Sequence, residues 1–87
     1  MSDTDMIKGK KVLVVDDEQD ILEVLEELLD MCQVTTASTF DQAKTLLETQ
    51  TFDIAILDIM GVDGYRLLEI ANKKHVPAIM LTAHAFS

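Results

Sequence analysis

The stretch Lys11-Val12-Leu13-Val14-Val15-Asp16-Asp17 decides the fold of this chain. Four consecutive apolar residues predict a buried β-strand, and two acidic residues follow directly at its carboxyl end. Two later apolar runs show the same pattern: Asp58 follows residues 54–57, and Thr82 follows residues 78–81. Because the carboxyl ends of parallel strands meet at one edge of a sheet, these polar side chains are predicted to form one site.

Helical patterns separate the strands. The first predicted helix should pack on the sheet through apolar residues at helical spacing, namely Ile21, Leu25, Leu28 and Cys32, with Val24 and Leu29 widening the stripe. Since Ile21 and Leu22 are adjacent, only one can face the sheet squarely, and Leu22 is the candidate for contact with a partner protein.

The rest of the chain continues the alternation. Residues 34–37 form a short β-branched strand, and Thr39 and Gln42 have the spacing of a capping box at the start of a second helix. Asp63-Gly64 opens a third helix. The predicted order βαβαβαβ indicates an α/β fold with a doubly wound parallel sheet.

Length and charge exclude several classes of function. The 87 residues fit one small domain, here divided into a polar tail over 1–9 and a domain over 10–87. The net charge is −9, and the segment from Asp16 to Asp30 has eight acidic residues and no Lys or Arg, so we expect no nucleic acid binding by this chain. No apolar run approaches the roughly 18 residues of a membrane-spanning helix, and the N-terminus is acidic, which predicts a cytoplasmic protein without membrane attachment.

Four segments, in order, resemble the receiver domain of two-component response regulators: Val12–Glu18, Ile56–Asp58, Asp63–Tyr65 and Met80–Ala83. The resemblance covers residues 10 to about 86. It implies a flavodoxin-like parallel sheet in the order 2-1-3-4. In the family the fold continues into a fourth helix, a fifth strand that carries an active-site Lys, and a fifth helix, so we expect a receiver that is truncated after strand four.

The resemblance also implies roles for particular residues. Asp58 would be the phosphoacceptor, taking a phosphoryl group from a sensor histidine kinase or phosphotransfer protein. Asp16, Asp17, Asp58 and the backbone carbonyl of Met60 would bind Mg2+. Thr82 would hydrogen-bond the phosphoryl group and move with it. Such a domain promotes its own phosphorylation and dephosphorylation and is not a turnover enzyme on an external substrate.

The chemistry of the residues favours the same metal. Three carboxylates about 5 Å apart repel by roughly 3 kcal/mol per pair at an effective dielectric constant near 20, and a divalent cation relieves that repulsion. Mg2+ prefers oxygen ligands and is commonly shared between carboxylates and a phosphate. Simpler explanations stay open: Asp16 and Asp17 can cap the first helix, Asp58 can be a solvated loop residue, and Thr is an ordinary strand residue.

Two departures from the family lead to further expectations. The loop of residues 59–62 is shorter than usual by about two residues, so we expect a tight turn in which Gly61 provides permissive backbone angles. A truncated sheet would leave the fourth strand as a bare edge, which predicts either that two chains pair near this strand or that the C-terminal region rearranges to cover the exposed face.

Other functions remain as alternatives. One is a receiver-like interaction or dimerisation module without phosphorylation, or an inactive fragment of a longer regulator. Another is a phosphatase of the haloacid dehalogenase type, but its motif spaces two Asp residues by one position, where this chain has Asp16 and Glu18.

Overall fold

The computed structural model describes residues 7–81, so predictions that concern Thr82 and residues 1–6 lie outside the described residues. Strands and helices alternate along the chain: β1 (Lys11–Val15), α1 (Gln19–Leu28), β2 (Gln33–Ala37), α2 (Phe40–Thr49), β3 (Ile54–Asp58), α3 (Gly64–Lys73) and β4 (Ala78–Leu81). The strands are parallel and lie in the order β2-β1-β3-β4. The predicted α/β class and strand order are confirmed.

Helices cover both faces of the sheet, because successive side chains of a strand point to opposite sides. Leu13 and Val15 of β1 are buried against α2 and α3, in a core that also contains Ala43, Leu47, Leu57, Leu67 and Ala71. Val12 and Val14 point to the other face, where Leu22 of α1 covers them. Residues 12–15 of β1, all of them buried, therefore lie between two apolar layers.

The buried side of α1 differs from the predicted one. Leu22 is only 2% exposed, and Leu25 and Leu29 pack beside it, whereas Ile21 and Leu28 are 36% and 64% exposed. The sequence prediction was therefore wrong about Ile21, Leu28 and also Val24, which is 51% exposed, and Leu22 is unavailable to a partner. The reason is that two overlapping apolar stripes fit the helical period, and only the way in which the crossover places α1 above the sheet chooses between them.

The start of α2 follows its predicted capping pattern. The Oγ1 atom of Thr39 accepts the backbone N–H of Gln42 at 3.2 Å. The Gln42 side chain reaches back, and its Oε1 atom accepts the N–H of Ser38 at 2.9 Å. Two N–H groups at the helix start are thereby satisfied, which fixes the exit of the chain from β2.

Strand register aligns the polar ends of β1 and β3. Val15 pairs with Leu57, and Asp58 pairs with Leu81, so that Asp16 and Asp58 come at the same edge of neighbouring strands. The N–H of Asp16 also donates to the carbonyl of Ala37 at 3.1 Å, which continues the β1–β2 ladder by one residue. In residues 7–81, no helix is both long and apolar enough to cross a membrane.

Candidate functional site

Three acidic side chains meet at the carboxyl edge of the sheet. Carboxylate oxygens of Asp16, Asp17 and Asp58 all lie within 4.8 Å of one another. Asp16 and Asp58 are buried, at 7% and 8% exposure, while Asp17 is exposed. The cluster is therefore a small acidic pit that opens to solvent on the side of Asp17.

Backbone N–H groups hold two of these carboxylates in place. The Oδ1 atom of Asp16 accepts the N–H of Glu18 at 2.9 Å, which turns the chain from β1 into α1. Asp58 accepts two bonds from the loop that follows it, from Met60 N–H to Oδ1 at 3.3 Å and from Gly61 N–H to Oδ2 at 3.0 Å. The loop thus wraps around Asp58 and restrains its orientation.

Burial and like charge destabilise the ionised cluster. Burial raises the pKa of Asp16, and the charges of Asp58, Asp17 and Glu18 raise it further, against the lowering effect of the bond from the Glu18 N–H. At an effective dielectric constant near 20, each carboxylate pair at this separation repels by roughly 3 kcal/mol. A bound cation would relieve this repulsion between the carboxylates.

The donor atoms of the cluster suit a hard divalent cation. Every candidate ligand is a carboxylate oxygen, and the described part of the site contains no thiolate or imidazole that would favour zinc or copper. Mg2+ keeps several waters and needs few protein carboxylates, which fits a pit that is open on one side. Asp16, Asp17 and Asp58 are the residues that could hold it.

Gly61 has a different role from the expected one. Its φ lies outside the left-handed region, so the turn does not require permissive backbone angles at this position, and the prediction was wrong in that respect. Space is what the position requires, because a Cβ atom there would overlap the carboxylates of Asp17 and Asp58. The left-handed residue of the turn is instead Asp63, with φ of 56°.

A contact between α2 and α3 was not anticipated from the sequence. The Arg66 guanidinium lies over the Phe40 ring, 4.6 Å from its centroid, and its Nη1 atom is 3.3 Å from Oδ2 of Asp63. The ion pair is exposed and contributes little alone. Together the two contacts join the first turn of α3 to the start of α2, beside the loop that wraps Asp58.

Several predicted positions remain predictions. Thr82 lies outside the described residues, although Leu81 directly before it accepts the N–H of Ile59 at 3.0 Å. The described contacts place the Met60 N–H on Asp58 and give no ligand role to its carbonyl. Lys73 and Lys74 lie at the carboxyl end of α3, the opposite edge of the sheet from the acidic pit.

Sequence comparisons identify similar proteins. A family profile described as "Response regulator receiver domain" matches residues 12–87. Two-component response regulator ARR10 of Arabidopsis thaliana is 40% identical over 85 residues, which cover 88% of this chain and 15% of that protein. Probable transcriptional regulator ycf27 of Guillardia theta is 44% identical over 86 residues, which cover 93% of this chain and 34% of that protein. The chain thus spans a minor part of the length of these relatives.

Solved structures agree with the sequence comparisons. The receiver domain of the Francisella response regulator 1452 has a TM-score of 0.78 at 30% identity, covering 88% of this chain and 69% of that one. The non-phosphorylated HemR receiver domain from Leptospira biflexa has a TM-score of 0.77 at 34% identity, covering 88% of this chain and 67% of that one.

Proposed function

The chain belongs to the response regulator receiver domain family, and from that premise we propose that it is the phosphoacceptor module of a two-component phosphorelay. Asp58 accepts the phosphoryl group from a sensor histidine kinase or phosphotransfer protein. The observation that carries this proposal is a buried carboxylate at the carboxyl edge of the sheet, with oxygens of two further carboxylates within 4.8 Å. A cytoplasmic location accompanies this role, because intracellular phosphodonors must reach the site.

The proposed reaction is a direct transfer to Asp58. One of its carboxylate oxygens attacks phosphorus, a P–O bond forms, and the P–N bond of the phosphohistidine breaks, leaving its electron pair on the imidazole nitrogen, which takes up a proton. With acetyl phosphate the bond that breaks is P–O, and acetate leaves. The reaction is stoichiometric, since the product is the aspartyl phosphate of the chain itself.

The residues around Asp58 orient its carboxylate and would hold a cation that compensates negative charge. The N–H groups of Met60 and Gly61 hold the carboxylate so that it presents a defined oxygen to the donor. Asp16 and Asp17, with Asp58 and the Met60 carbonyl, would hold Mg2+. The bound cation offsets negative charge on the transferring phosphoryl group, for which positioning and electrostatics supply most of the catalysis.

Incubation with Mg2+ and acetyl phosphate tests the proposal by intact-protein mass. We expect the natural chain to gain the mass of one phosphoryl group and Asp58→Asn to gain none, because the amide is not a competent nucleophile. Asp53→Asn is the matched control. That carboxylate lies at the opposite edge of the sheet, where it accepts the N–H of Lys11 at 2.8 Å, a bond that an amide oxygen can keep.

Each outcome is informative. Equal uptake by the natural chain and Asp58→Asn would place the phosphoryl group elsewhere and contradict the assignment. If the natural chain takes up no phosphoryl group from acetyl phosphate or from a panel of phosphorylated histidine kinases, the result would favour an interaction module that does not accept phosphoryl groups.

We also propose that a second copy of the chain pairs along the outer edge of β4. Among residues 7–81 no strand occupies that edge, and Ile79 on β4 is 48% exposed. Unpaired edge strands are templates for association. Light scattering at micromolar concentrations should show dimers that Ile79→Lys reduces and Tyr65→Lys, at a residue 64% exposed on α3, does not. A monomeric natural chain would refute the proposal.

A further inference from the structure

Gly61 lies closer to the acidic pit than either of the other two glycines in residues 7–81. A Cβ atom built on it would overlap Oδ1 of Asp17 and Oδ2 of Asp58 and would lie 2.6 Å from Cγ of Asp17. The other two described glycines differ: a Cβ on Gly9 would meet nothing within 4 Å, and one on Gly64 would meet backbone atoms. At Gly61 the atoms in the way are the ends of the two carboxylates.

The loop cannot easily withdraw to make room. The N–H of Gly61 donates to the same Oδ2 atom of Asp58 that a Cβ would overlap, at 3.0 Å, and the neighbouring Met60 N–H donates to Oδ1. Val62, the next residue, is 4% exposed and packs in the core of α2 and α3. The residues on either side of Gly61 thus hold it against the pit.

A side chain at this position would therefore displace the carboxylates. Only side-chain ends must move: Asp17 is exposed and can rotate into solvent, whereas the buried Asp58 must shift against the two N–H bonds that hold it. The fold can accordingly tolerate a methyl group at residue 61, whose φ is not left-handed. The two carboxylates that move are, however, two of the three whose oxygens lie within 4.8 Å of one another.

We propose that Gly61 is a positioning residue for the cation: the absence of a side chain at this position lets the carboxylates of Asp17 and Asp58 close on one Mg2+ ion. This inference rests on the proposed function, since it concerns the cation of the same site. The loop after β3 brings residue 61 over the pit, where its N–H donates to Asp58.

Isothermal titration calorimetry with Mg2+ tests the inference on the full chain. We expect Gly61→Ala to weaken Mg2+ binding at least about tenfold, the lower end of the range for residues that support metal ligands. Its thermal unfolding midpoint in a chelator should stay at the wild-type value, because the displaced carboxylates relax away from one another. Tyr65→Ala is the control: this side chain on α3, four residues further along the chain, is 64% exposed, and its loss should leave the Mg2+ affinity unchanged.

Equal Mg2+ affinity of Gly61→Ala and the natural chain would overturn the inference. A natural chain that binds Mg2+ but takes up no phosphoryl group refutes the proposed function and leaves the Gly61 comparison valid. A natural chain that binds no Mg2+ overturns both. Should Gly61→Ala fail to fold, the triple variant with Asp17→Ala and Asp58→Ala decides, since removal of both overlapped carboxylates must restore folding if the overlap is the cause, and no recovery would overturn the inference.

Discussion

Replacing Asp16 with asparagine should stabilise the metal-free protein at neutral pH and diminish the stabilisation that Mg2+ provides. The substitution keeps the size of the side chain, and the amide oxygen can still accept the Glu18 N–H, so the change removes charge and little else. Two repulsions of roughly 3 kcal/mol each disappear, reduced in practice because Asp17 is solvated. We expect a net gain of about 2 kcal/mol in the free energy of unfolding.

The pH dependence of that gain has a defined sign. Burial, then the neighbouring negative charges, raise the pKa of Asp16 in the folded protein above its ordinary value of 3.8. The unfolded chain therefore loses this proton first as pH rises, and folding stability falls through the interval between the unfolded and the folded pKa. Natural chain and Asp16→Asn should have similar stability below that interval and diverge as the pH rises to neutrality.

Urea unfolding in a chelator and in excess Mg2+ measures both effects. The natural chain should gain about 2.7 kcal/mol when Mg2+ is present at a hundred times its dissociation constant, and Asp16→Asn should gain less at the same concentration. Asp53→Asn, at the opposite edge of the sheet, should respond to Mg2+ like the natural chain. A metal-free Asp16→Asn less stable than the natural chain at neutral pH would show that the cluster is not strained by its charge.

The place of the acidic pit could be predicted from local patterns, whereas the strand order 2-1-3-4 followed from the resemblance to receiver domains. A strand such as β1, apolar from Val12 to Val15, is expected to be central in a parallel sheet, and acidic residues at or directly after the last position of a strand, such as Asp58 and Asp16, must lie at its carboxyl edge. Likewise, Thr39 and Gln42 form a cap whose geometry depends on residues four positions apart or fewer.

Features that depend on packing between distant segments were not predictable. The side of α1 that faces the sheet was wrong because Ile21 and Leu22 both belong to stripes of helical period, and the sheet selects Leu22. The role of Gly61 was missed for a similar reason: the sequence shows a glycine in a short loop, but the overlap with Asp17 involves a residue 44 positions away in the chain. A glycine's need for space is visible only once its neighbours are in place.

Gly64→Ala should be severely destabilising, by about 3 kcal/mol or more. Gly64 is the buried first residue of α3, and a Cβ on it would overlap the carbonyl oxygen of Asp58 and lie 2.9 Å from Cα of Ile59. These are backbone atoms, which no side-chain rotation can move aside. The start of α3 would have to move away from the end of β3, opening the core around Leu67 and displacing the backbone of the phosphoacceptor itself.

Comparison with neighbouring variants isolates this effect in denaturant unfolding. Tyr65→Ala changes the next residue of the same helix, but that side chain is 64% exposed, so the unfolding midpoint should change little. Gly61→Ala adds the same methyl group in the loop just before this helix, yet that group meets carboxylate ends, so the variant should retain stability while losing Mg2+ affinity. These two variants thus distinguish two reasons why a position requires glycine. Gly64→Ala should destabilise the fold, and Gly61→Ala should impair only the Mg2+ site. A Gly64→Ala variant with the unfolding midpoint of the natural chain would contradict the close approach of α3 to Asp58.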